Sequence, residues 1–162
     1  MKKTDLFDYD DFINVREEFS VDDKNGLKVG DYVYGRCHLF ALALARQLRM
    51  KIGIFVDEEC IPDGGEEPIR VLVHAFCVLD NDRVIDARGV RYKIDMLREF
   101  SPLAFEFNEL AGKEAEAQLN EWMSNEPALQ AKSGEESALR DYIKDMCKFG
   151  VLDAKEQEFG YS

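Results

Sequence analysis

Basic residues are scarce in this chain: 21 Lys and Arg stand against 33 Asp and Glu, a formal net charge of −12. A surface that acidic repels a phosphate backbone and an anionic bilayer alike, which argues against direct nucleic-acid binding and against a membrane partner. Long apolar runs are also missing; none approaches the ~18 residues a bilayer-spanning helix requires. The opening Met1-Lys2-Lys3-Thr4-Asp5-Leu6 has two lysines but no apolar stretch behind them, which is not the pattern of a secretory signal. A cytoplasmic protein is therefore expected, with export by an uncleaved route left open. Prolines number four, and the chain is 46% apolar and 33% charged, which excludes a fibrous repeat or a generally disordered chain. There are four cysteines and two histidines, with no CxxC pair. In a reducing compartment disulfides are disfavoured, and a chain near 150 residues hides about two-thirds of its unfolded surface without them. Cys37-His38 and His74-x-x-Cys77 together offer two sulfurs and two imidazoles, but residues 74 and 77 of a strand point to opposite faces and neighbours 37 and 38 diverge on a helix. Neither a metal nor a cofactor is expected.

What is present reads as one domain over residues 1–162, with a core at about 30–106 and a helical extension at about 107–150. The run from Cys37 to Met50 is made of good helix formers without Gly or Pro, and Leu39 to Ala45 is apolar without a break, so this helix is buried on all sides in its first turns. Ile52 to Val56 is a short apolar strand, and Asp57 to Pro68 an acidic, solvated loop. Ile69 to Leu79 is rich in β-branched and aromatic residues and reads as a long buried strand, followed by a turn and a second strand from Arg83 to Ala87 that Gly89 ends. Upstream, Phe12, Val15 and Phe19 share a face at helical spacing, so a short helix is expected from Asp10 to Phe19, and Lys24-Asn25-Gly26 reads as a turn. Asp95 to Phe100 fits one helical turn. Beyond Phe107 the periodicity is helical, over Glu109 to Met123 and Glu135 to Phe149.

Three residues stand out by position. Cys37 opens the buried helix, where the free amides and partial positive charge of the terminus favour a thiolate. His74 lies mid-strand and can pair with that thiolate and protonate a leaving group. Asp86, near the end of the next strand, can hold the imidazole's tautomer and steady its charged form. A loop of Asp80, Asn81 and Asp82 sets a register in which Asp86 sits diagonally beside His74 on one face. Each residue also has an ordinary structural reading, as core filler, hydrogen-bonded core histidine and turn carboxylate. Cys77 alternates away from His74 and reads as core; His38 reads as solvent-facing or a local cap. Arg88 and Arg91 read as solvated surface.

The order Gly35-x-Cys37-His38 on a helix, His74-Ala75-Phe76 on a strand and Ile85-Asp86-Ala87-x-Gly89 on its neighbour resembles the papain-like cysteine hydrolase superfamily, most closely its compact transglutaminase-like and NlpC-like branches. The resemblance spans about residues 30–92. It implies an α+β fold, a helix packed on an antiparallel sheet with the site at their junction. It also implies a cysteine protease-like hydrolase or acyl-transfer enzyme with Cys37 as nucleophile, His74 as base and acid, and Asp86 as orienting residue. Tyr34, Gly35 and His38 would contact a protein or peptide substrate, and the acidic surface suits a basic one. Papain-type enzymes place a Gln shortly before the nucleophile for the oxyanion hole; residues 28–36 contain none, leaving Tyr32, Tyr34 and Asn25 as candidates. The rival reading is a non-enzymatic acidic binding protein or inhibitor on the same fold, occupying a basic partner surface through Trp122, Phe149 and the C-terminal helices.

Overall fold

A computed structural model describes residues 7–9, 12–100 and 107–152. Two short hairpins come first, β1 (Phe7–Tyr9) with β2 (Ile13–Val15), and β3 (Ser20–Asp22) with β4 (Leu27–Lys28). A single turn of helix, α1 (Asp31–Tyr34), leads into α2 (Cys37–Leu48). The main sheet is built from β5 (Lys51–Cys60), β6 (Ile69–Val78), β7 (Arg83–Asp86), β8 (Gly89–Tyr92) and β9 (Asn108–Ala111), in the order β8-β7-β6-β5-β9. Every recorded pairing in it is antiparallel. α3 (Lys93–Phe100) follows β8, and α4 (Lys113–Asn125), a 3-10 turn at Pro127–Leu129 and α5 (Glu135–Lys148) complete the α+β fold.

The sheet separates two apolar layers. On one face Ile52, Ile54, Ala75 and Cys77 join α2, α4 and α5 in the principal core, with Phe40, Leu44, Leu119 and Ile143 at its centre. On the other face Phe55, Phe76 and Val84 pack with Met96 of α3 in a smaller cluster. α2 is buried from Cys37 through Leu42, as its unbroken apolar run requires, and ends on Arg49 in a left-handed conformation (φ 55°).

Several local expectations are corrected. The stretch from Phe12 to Phe19 is not helical: Ile13–Val15 is β2, paired with β1, and the Val15 N–H donates to the Arg88 carbonyl at 2.7 Å. The 3-4 spacing did mark buried residues, Phe12 and Val15, but backbone pairing decided the element; residues 10 and 11 lie outside the described residues. The acidic segment Asp57–Cys60 extends β5 rather than opening the loop. Gly89 begins β8 instead of merely ending β7; its φ of +123° and an added Cβ's 2.9 Å approach to the Ile13 carbonyl show why glycine stands there. Finally, Asn108–Ala111 is the edge strand β9, paired with Val56 to Gly53 of β5. Four residues are too few to show a period of two, and their mate lies more than fifty positions away.

Candidate functional site

Asp80 to Asp82 form the loop between β6 and β7, and the register pairs Cys77 with Ile85 and Val78 with Val84, as the three-residue loop requires. That places Asp86 one diagonal step from His74, and the His74 Nε2–H donates to Asp86 Oδ2 at 3.2 Å. A second device, not visible in the sequence, aims the histidine. His74 pairs with Phe55 and Leu72 with Val56, so Val73 is an extra residue, a β-bulge. The bulge reverses the alternation: Leu72 belongs with the principal core, whereas Val73 and Phe76 pack in the smaller layer. His74 stacks on Phe100 with ring centroids 4.7 Å apart. It has no solvent exposure at all.

Asp86 is equally buried and is tied down on every side. It accepts from the Arg88 N–H at 2.8 Å and from Arg88 Nη2 at 2.6 Å, besides His74. Burial pushes its carboxyl up, but the Arg88 guanidinium and His74 outweigh that and hold it far below the usual carboxylate range. Arg88, expected as solvated surface, is buried and spans Asp86 and Glu99, and Arg91 also pairs with Glu99. A guanidinium two residues beyond the carboxylate neutralises it where no water can. The nearby Tyr142 hydroxyl donates to the Ala87 carbonyl at 2.5 Å.

Cys37 begins α2, where first-turn amides have no acceptor within the helix. The thiol is only 5% exposed but lines a cleft of about 340 Å³. Burial pushes its pKa up; the imidazoles of His38 and His74 and the Ala75 N–H together pull it down to about 6. His74 shows the mirror image. Burial pushes it down, and Asp86 and Cys37 raise it to about 9. With Nε2 committed to Asp86, Nδ1 is the nitrogen left for the thiol; it is buried and has no hydrogen-bond partner among the described residues. Each group is a cause of the other's shift, the direction that favours a thiolate beside an imidazolium.

Tyr34, Gly35 and His38 line the same cleft as Cys37, together with Ile69 to Val73, Leu119, Trp122, Met123, Glu126 and Leu129. His38 is not solvent-facing: it is buried, and its Nε2–H donates to the Leu129 carbonyl at 2.6 Å, anchoring the 3-10 turn to α2. Among the oxyanion candidates, Tyr32 is buried with its hydroxyl donated to Glu135 at 2.8 Å, and the Asn25 amide serves Asp22 and the Ser133 carbonyl. Only Tyr34, 69% exposed, reaches the cleft, with its hydroxyl drawn to Glu17. Cys77 is core: its Sγ–H donates to the Ala41 carbonyl and burial pushes its thiol up to about 12. Trp122 belongs to the cleft wall, whereas Phe149 packs on Phe7.

Sequence reasoning missed the support of the helix end that carries Cys37. Arg36, the residue before Cys37, forms a two-pronged pair with Glu135 at the start of α5, and Nη2 also donates to the Gln130 carbonyl at 3.1 Å. Glu135 further accepts from Tyr32 and from the Lys132 N–H at 2.8 Å. An Arg directly before the candidate cysteine was the only local signal; its partner lies 99 residues away. Among the described residues no group of three or more His, Cys, Asp or Glu could hold a metal, and no helix is long and apolar enough to cross a membrane. Comparison of the chain with family models, with curated proteins and with solved structures found no match in any of the three.

Proposed function

We propose that this protein is a thiol acyl-transfer enzyme, a cysteine hydrolase, amidase, deamidase or transglutaminase-like catalyst. The observation that carries the reading is the alignment of Cys37, His74 and Asp86, with a thiol drawn down to about 6 facing an imidazole raised to about 9. In this reading the Cys37 thiolate attacks an amide carbonyl, and the Cys37 N–H at the helix terminus donates to the oxyanion that develops. The His74 imidazolium then protonates the departing nitrogen as the C–N bond breaks, leaving a thioester on Cys37. Neutral His74 next takes a proton from water or an amine, which attacks the thioester and releases the thiol. Asp86 stays ionised throughout and stabilises the imidazolium, as its arginine partner ensures. The four activities share this first half-reaction and differ in the group that leaves and the group that enters.

Limiting iodoacetamide at pH 6 tests the chemistry without a substrate. Cys37 is expected to alkylate ahead of Cys60, Cys77 and Cys147 in peptide mapping. In His74→Ala the thiol returns towards ~8.5, so its thiolate fraction at pH 6 drops about a hundredfold. A merely accessible thiol would react equally in both proteins. Equal labelling would sink the enzyme reading in favour of an acidic binding protein, which has no need of a thiolate.

A further inference from the structure

The cleft beside Cys37 has a wall that acyl transfer alone leaves unexplained. Five consecutive residues of β6, Ile69 to Val73, line it, although side chains of a strand alternate between faces. Consecutive neighbours bordering one cavity place the backbone edge of the strand there, not merely one row of side chains. The edge is open because β7 pairs with β6 only at Cys77 and Val78 before the chain turns at Asp86 and Gly89 into β8. Upstream of that point no strand pairs with this side of β6 among the described residues. Cys37 lines the same cleft as these five residues. The open edge therefore borders the cleft into which Cys37 opens. Across the cleft stand Leu119, Trp122 and Met123 of α4, with Leu129 beside them. Arg70 is already engaged by Glu58 and Gln118, so the wall offers apolar surface and unpaired backbone rather than a free cation.

We infer, building on the acyl-transfer reading of Cys37, that the substrate is an extended peptide that adds to β6 as a further strand along Ile69 to Val73. An apolar side chain of that peptide occupies the cavity under Trp122, and the carbonyl under attack lies against Cys37. Main-chain hydrogen bonds to an open edge supply affinity for any extended sequence, and the pocket supplies selectivity. A small free amide would forgo both.

A tri-leucine chloromethyl ketone is the probe. The Cys37 thiolate attacks its methylene carbon, the C–S bond forms, the C–Cl bond breaks and chloride leaves. Alkylation of Cys37, followed by peptide mass mapping of the full chain, is expected to be at least tenfold faster than with the same reagent N-methylated at its backbone amides. That reagent keeps the side chains and electrophile but loses the main-chain donors. A tri-aspartate reagent is expected to be slower by a similar factor. Equal rates for the parent and N-methylated reagents would overturn strand addition even while iodoacetamide still singles out Cys37 at pH 6. If iodoacetamide itself fails to distinguish wild type from His74→Ala, the acyl-transfer reading falls and this inference with it.

Discussion

Two buried carboxylates, Asp86 and Glu135, organise the two halves of the candidate site, and they do so by the same means with different consequences. Each is paired with an arginine close in space, Arg88 for Asp86 and Arg36 for Glu135. Each is held below the usual carboxylate range against the opposing effect of burial. The remaining partners differ. Asp86 turns to an imidazole that titrates, so its charge is passed on to chemistry; Glu135 turns to the Tyr32 hydroxyl and a backbone amide, so its charge ends in structure. One clamp aims His74 and the other fixes the helix end that carries Cys37. An ionised carboxylate in a protein interior thus becomes a reactive feature only when its last acceptor site faces a group able to change its protonation.

The largest effects should fall on Cys37, His74 and Asp86 themselves. Cys37→Ala removes the nucleophile, and acyl transfer should vanish while the fold persists, as the melting temperature would show. His74→Ala should cost about a hundredfold in Cys37 alkylation at pH 6. Asp86→Asn should be milder, roughly ten- to a hundredfold in turnover, because an amide still orients the ring but no longer sustains the imidazolium. If Asp86→Asn proved as inert as Cys37→Ala, orientation and charge could not be separated in this way.

The pH dependence sharpens the same contrast. Acyl transfer needs thiolate and imidazolium together, so its rate should follow a bell, falling below about 6 as Cys37 gains a proton and above about 9 as His74 loses one. Alkylation needs the thiolate alone and should rise through about 6 and then stay high. A fall in alkylation above 9 would contradict the assignment of the upper limb to His74.

Glu135→Gln should act on stability instead. It leaves the Arg36 guanidinium without its counter-charge, a loss of roughly 2–4 kcal/mol in denaturant unfolding for a largely buried pair with one end near water. Because the folded-state pKa of Glu135 is depressed, its contribution is fully present above the ordinary carboxylate range and is lost as the pH falls through the folded value. Acid unfolding of Glu135→Gln should accordingly be shallower than that of the wild type. The smallest effect is Tyr32→Phe, about 1 kcal/mol, since Arg36 and the Lys132 amide still satisfy the carboxylate. A large change in alkylation rate for either variant, with stability intact, would mean that the second clamp also tunes the thiol.

The sequence by itself determined the parts governed by short-range pattern. The apolar run after Cys37 dictates a buried helix, because no face of it can be left in water. The β-branched run from Ile69 dictates a strand, buried from His74 to Cys77 but not over Ile69 to Val73, and a three-residue turn dictates the register that brings Asp86 beside His74. Those local rules singled out Cys37, His74 and Asp86 as the candidate site. Tertiary structure decided what depends on groups distant along the chain. The bulge at Val73 arises from pairing with β5. The burial of Arg88 depends on Glu99 of α3, and that of His38 on the Leu129 carbonyl. The Arg36–Glu135 clamp joins two helices with most of the fold between them, and β9 exists only because β5 offers it an edge. Hydrophobic periodicity is written residue by residue, whereas a hydrogen-bond partner or a counter-charge is chosen only when the folded chain brings it within about 3 Å.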